Sequence, residues 1–127
     1  LRGRFRASFP DHALVIEGRM PRCRFANVML WNRYLQTFEY PWRRISLNRK
    51  QMHLGADGRY RIVVSHRDPG VPHWLSTEGR PFGLVFWRFM LPERRIDTPS
   101  AQVVPVDAVR EAVAQAPGSA TTSKVDM

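Results

Sequence analysis

Apolar residues along this chain fall into short runs that change character from one to the next. Ala13 to Arg19, ALVIEGR, is a β-branched run between a Pro-Asp turn and Met20-Pro21, and it reads as a buried strand. Arg22 to Asn32, RCRFANVMLWN, alternates instead: Cys23, Phe25, Met29 and Trp31 hold one parity and Arg22, Arg24 and Ala26 the other. A period of two predicts a strand with one face, the Cys23–Trp31 parity, in the core. The pattern loosens through QTFEYPW, where Pro41 argues against a central strand, and resumes at Ile45 to Leu47 and Met52 to Leu54. Gly55-Ala56-Asp57-Gly58 is turn chemistry. Beyond it Tyr60, Ile62 and Val64 alternate with Arg59, Arg61 and Val63, a strand expected to pair with Met52–Leu54 across the turn. Phe82 to Leu91, FGLVFWRFML, carries aromatics on both parities, which implies burial on both sides or contact with a missing neighbour. Gln102 to Val106 reads as an edge strand, and the spacing of Val106, Val109 and Val113 predicts a short amphipathic helix over 107–116.

Short strands at intervals of roughly ten residues, with Pro, Gly and Asp turns and no strong helix before residue 105, predict an all-β fold. The expected architecture is an antiparallel β-sandwich of jelly-roll or Greek-key type over residues 1–106, then the helix, then a disordered polar tail over 117–127. The connections 33–44 and 66–81 are too long for tight hairpins, which favours these topologies.

At 127 residues the chain is sized for one domain. Its apolar runs fall far below the ~20 residues of a membrane-spanning helix, so no span is expected. Leu1 in place of Met, followed by Arg2, Arg4 and Arg6, suggests a piece of a longer protein and leaves the compartment open. The single cysteine, Cys23, excludes an internal disulfide and a thiolate-rich zinc site. A formal charge of +9 comes from 20 basic residues against 11 acidic ones. Arginine binds phosphate well. Here the arginines are spread along the chain, with RRISLNRK (43–50) as the densest segment, and this disfavours a nucleic-acid partner.

The succession ALVIEGRMP, NVMLWNRYLQTFEY, SLNRKQ, DGRYRIVVSHRDPGVPHWLSTEG and GLVFWRFMLPE resembles the C-terminal domain of bacterial proteins of domain-of-unknown-function family 1214. The likeness runs from about Ala13 to Pro92, and its most specific string is 57–79. It implies a jelly-roll-like sandwich and an upstream companion domain, of family 1254. It implies no activity, since the family has no settled biochemical function.

Two places hold candidate chemistry. The loop HRDPGVPHWLSTEG (66–79) offers His66, Asp68, His73 and Glu78, an acid-base or metal set by residue type, with Trp74 beside them as an expected core anchor. Its spacing is poor for convergence, and Asp68-Pro69-Gly70 is turn chemistry, so a shaped corner is the favoured reading. Neither a metal nor another cofactor is expected. The second place is aromatic: Trp42, Tyr34 and Tyr40 lie near Asn32, Asn48 and Arg44, a combination suited to a glycan or a small hydrophobic ligand. The leading expectation is a non-enzymatic module that packs on its companion domain or forms a homo-oligomer. Ligand binding, or a hydrolase or metal-dependent activity at the 66–79 loop, are its alternatives.

Overall fold

The computed structural model describes residues 2–6, 11–37, 45–55, 57–77, 79 and 82–114, by backbone alone at 2–6 and 82. Among these residues eight strands form two sheets. One sheet has the order β1 (Arg2–Arg6), β7 (Phe82–Met90), β3 (Phe25–Trp31), β4 (Ser46–Asn48). The other has β6 (Trp74–Ser76), β5 (Arg59–Ser65), β2 (His12–Arg19), β8 (Ser100–Pro105). A short helix, α1 (Val109–Ala114), follows. The expected β-sandwich with a C-terminal helix is therefore what this chain forms. Every ladder is antiparallel except β5–β6, where Val63 lies beside Trp74 in parallel register.

The apolar runs explain the layers. Leu14 and Ile16 of β2, Ile62 and Val64 of β5 and Leu75 of β6 meet Ala26, Val28 and Leu30 of β3, Leu47 of β4, and Val85 and Trp87 of β7 in one core between the sheets. Burying each larger side chain in this way is worth about 1.5–3 kcal/mol relative to leaving it in water. The other parity of β2 is buried as well: Ala13 and Val15, with Val63, pack under Val106 and Val109 in a second cluster outside that sheet. This is why ALVI reads as continuous apolarity, with neither face left to water.

Two expectations are corrected. On β3 it is Ala26, Val28 and Leu30 that enter the core, while Phe25 is 38% exposed and Trp31 stacks on Phe86 on the outer face, centroids 4.1 Å apart. The register decides this: Val28 stands opposite Trp87 and Leu30 opposite Val85, so the parity that pairs with β7's core residues must turn inward. Met52–Leu54 forms no ladder with β5, whose neighbours are β2 and β6. The seven-pair β2–β5 ladder offers more apolar contact than that three-residue segment could. Arg2–Arg6, where no apolar run marks a strand in the sequence, pairs with β7. The expected tail, 117–127, lies outside the described residues.

Gly18 is held by close approach. It stands opposite Tyr60, and a Cβ there would lie 2.6 Å from the phenol Cζ and closer still to the hydroxyl. Tyr60 cannot swing away, because its ring is 4% exposed and packs 4.8 Å from Trp87. Gly18→Ala is expected to destabilise the fold by about 1–3 kcal/mol, the usual cost of overpacking, measured by urea unfolding. A gain in stability would show that Tyr60 is free to move.

Candidate functional site

The loop after β5 is built almost wholly from bonds to backbone. The Ser65 hydroxyl donates to the Arg67 carbonyl at 2.7 Å, and the Gly70 amide donates to Asp68 Oδ1 at 2.8 Å. Gly70 has φ +76°, and the Arg110 guanidinium lies over it, with Nε 3.0 Å from where a Cβ would stand. The positive φ is what favours glycine there, since the Arg110 side chain can shift. The chain then re-enters the sheet: the Val63 amide donates to the His73 carbonyl at 2.9 Å and the Thr77 amide to the Ser65 carbonyl at 3.0 Å. Trp74 Nε1 donates to that same Ser65 carbonyl at 3.2 Å, and Leu75 is fully buried.

His73 is fixed on both ring nitrogens. Its Nε2 accepts from the His53 amide at 3.0 Å, and its Nδ1 lies 3.2 Å from the Arg61 carbonyl. A carbonyl can only accept and an amide can only donate, so these partners select the neutral imidazole with its proton on Nδ1. The His53 ring stacks beside it, centroids 5.5 Å apart. Both nitrogens thus serve the backbone, and neither is left to hold a metal or to pass a proton. His66 is exposed and lies against Gly79, while Asp68 holds its own turn. Among the described residues no three His, Cys, Asp or Glu side chains are placed to hold a metal ion. Glu78 lies outside the described residues.

A cavity of about 760 Å³ opens beside His73. Val63, Val71 and Val113 give it apolar walls, and His53, Arg59 and Arg61 give it polar ones. Its charged groups are already paired. Arg61 Nε lies 3.1 Å from Glu17, and its Nη1 donates to the Val113 carbonyl, near the C-terminal end of α1. The Asp57 carboxylate is 2.8 Å from Arg59 Nε. Burial works to raise the Asp57 carboxyl, but the amides of Arg59 and of Asp57 itself, together with the Arg59 guanidinium, outweigh it and hold the group below its usual value. Burial pushes the Tyr60 phenol up. Sequence reasoning does not single out His53, Arg61 or Glu17, since each sits in an alternating or turn segment that gives no sign of its partner.

Of the aromatic set, the structure describes Asn32, Asn48 and Tyr34. Trp42, Tyr40 and Arg44 lie outside the described residues. Asn32 spends its side chain on its own loop, accepting from the amides of Tyr34 and Gln36 and donating to Gln36 Oε1. Asn48 caps the turn at Arg49–Gln51. Asn48 pairs with Asn27, five residues before Asn32, which places the two amides about 17 Å apart along β3. Tyr34 is 70% exposed, and the Arg33 guanidinium lies over its ring at 5.3 Å.

No protein-family model matches the chain, and no curated protein matches it significantly. Two solved structures share its fold. One is an uncharacterized protein from Burkholderia cenocepacia, 30% identical, with a TM-score of 0.77 over 84% of this chain and 29% of that one. The other is the VPA0106 protein of Vibrio parahaemolyticus, 20% identical, with a TM-score of 0.61 over 81% of this chain and 30% of that one. The chain thus spans less than a third of the length of either.

Replacing His73 by Phe keeps a ring of similar size but leaves the His53 amide and the Arg61 carbonyl without these partners. A loss of about 1–3 kcal/mol in denaturant unfolding is expected, whereas His66→Ala should stay within about 0.5 kcal/mol. Equal effects of the two substitutions would contradict the backbone role of His73.

Proposed function

We propose that this chain is a β-sandwich module of the family 1214 kind, with jelly-roll-like connections, whose work is to pack on a companion domain of the same protein. The reading rests chiefly on Leu91. This residue has φ +52° and is 70% exposed. A left-handed backbone costs an apolar L-residue about 1–2 kcal/mol, and here it places a leucine in water. Neither cost helps the isolated domain, and strain of this sort is a reason to look for function at the site.

Its surroundings agree. Met90, 49% exposed, pairs with Phe25 on the outer face of the β3–β7 ladder, next to Leu91. The two structural relatives are both more than three times as long as the part that matches, so such modules occur beside much additional chain. A catalytic reading of the 66–79 loop finds less support, because its His73 and Asp68 side chains are committed to backbone groups.

Leu91→Asn separates the two roles of this position, since asparagine tolerates left-handed backbone. The domain alone is expected to keep or raise its urea midpoint, while its association with the companion domain, measured by light scattering and calorimetry, weakens at least about tenfold, or ~1.4 kcal/mol. A wild-type domain that stays monomeric and indifferent to the companion domain would refute the reading.

A further inference from the structure

The docking face carries charge as well as apolar surface, and the kind of partner that this charge selects depends on the face being a packing surface, as proposed for this module. Two segments far apart in sequence, 22–25 and 88–95, run side by side where β3 begins and β7 ends. The Arg24 amide donates to the Met90 carbonyl at 2.9 Å, and the Glu93 amide to the Arg22 carbonyl at 2.9 Å. Between them they hold the exposed apolar side chains Phe25, Met90 and Leu91. They also hold five arginines, at positions 22, 24, 88, 94 and 95, all exposed, against a single acid, Glu93. Among the described residues none of the five makes an ion pair; every such pair involves other residues.

Each class of partner would meet this face differently. A second copy bound about a twofold axis would bring the same patch against itself, arginine toward arginine, between chains that each carry +9. Like charges brought together at an interface oppose association strongly. A nucleic acid would pair with the guanidinium groups but gain little from Met90 and Leu91 in the middle of the patch. A surface with an apolar centre and carboxylates around it satisfies both components at once.

We propose that the surface docked on Phe25, Met90 and Leu91 is an acidic protein surface, whose carboxylates pair with Arg22, Arg24, Arg88, Arg94 and Arg95, and not a second copy of this chain. The companion domain is accordingly expected to present it.

The test monitors amide NMR shifts of the ¹⁵N-labelled chain on titration with a peptide of alternating glutamate and leucine, and with its glutamine-for-glutamate counterpart. The expected result is shifts confined to 22–25 and 88–95 with the acidic peptide. Binding should weaken at least about tenfold between ~50 mM and ~500 mM salt, in the glutamine peptide, and in the Arg94→Glu/Arg95→Glu chain. Equal binding of both peptides would remove the acidic partner and leave the packing surface standing. No binding of either would remove both. Tighter binding to phosphatidylglycerol–phosphatidylcholine vesicles than to the peptide would reassign the face to lipid. Dimerisation promoted by salt in light scattering would reassign it to a second copy.

Discussion

The β2–β5 ladder is the constraint from which the rest of the molecule takes its positions. It runs through seven residue pairs, Ala13–Ser65 to Arg19–Arg59, and it is buried on both faces along its first half. One parity, Leu14, Ile16, Ile62 and Val64, meets the other sheet; the other, Ala13, Val15 and Val63, meets the valines of the C-terminal segment. Because period-two geometry ties the faces together, a slip of one residue would exchange the two sets and spoil both clusters at once. The ladder also fixes Arg61 opposite Glu17 at the point where apolar cover ends. That pair, with the bond from Arg61 to the Val113 carbonyl, holds the end of α1 where the valine cluster alone would leave it loose.

The same ladder shapes the loop that follows β5. After Ser65 the chain turns outward and must come back parallel to β5, since Val63, Val64 and Ser65 lie beside Trp74, Leu75 and Ser76. A connection this short leaves many amides and carbonyls in need of partners near the sheet edge. Asp68, Ser65, His73 and Trp74 supply them. Asp68 and His73, which residue type alone marks as candidate chemistry, thus bond to backbone that the parallel return leaves in need of partners.

How much of the fold is legible in the sequence depends on how local each signal is. The buried run at 13–16, the alternation at 60–64 and the valine spacing at 106–113 are set by neighbours a few positions away, and each appears where expected. The favoured corner reading of 66–79 likewise needs only Asp-Pro-Gly turn chemistry. The parity expected of β3 fails because large aromatics do not mark the core side of that strand. Trp31 and Phe86 instead stack on each other outside, and the smaller Ala26 and Val28 fill the space opposite Phe89 and Trp87. Nothing within β3 itself carries that information; it lies in the register with β7. The positions of Asn32 and Asn48 depend on register too: Asn48 of β4 stands beside Asn27, and Asn32 lies just past the far end of β3.

Charge gives the same lesson in reverse. Along the chain the arginines are diffuse, and RRISLNRK is their densest segment. In the folded protein, two backbone bonds join the 22–25 and 88–95 segments into a basic surface that no linear window contains. Glu93 is the one acid within these segments, while Glu17 and Asp57 are paired away from it, with Arg61 and Arg59. With five arginines against Glu93, the β3–β7 end keeps a positive charge beside its exposed apolar side chains. In water arginine is well solvated and leucine is not, so holding Leu91 in a left-handed turn there brings the isolated domain no gain. A single surface that covers the leucine and answers the charge would relieve both, which is why the proposed partner is given an apolar centre and an acidic surround.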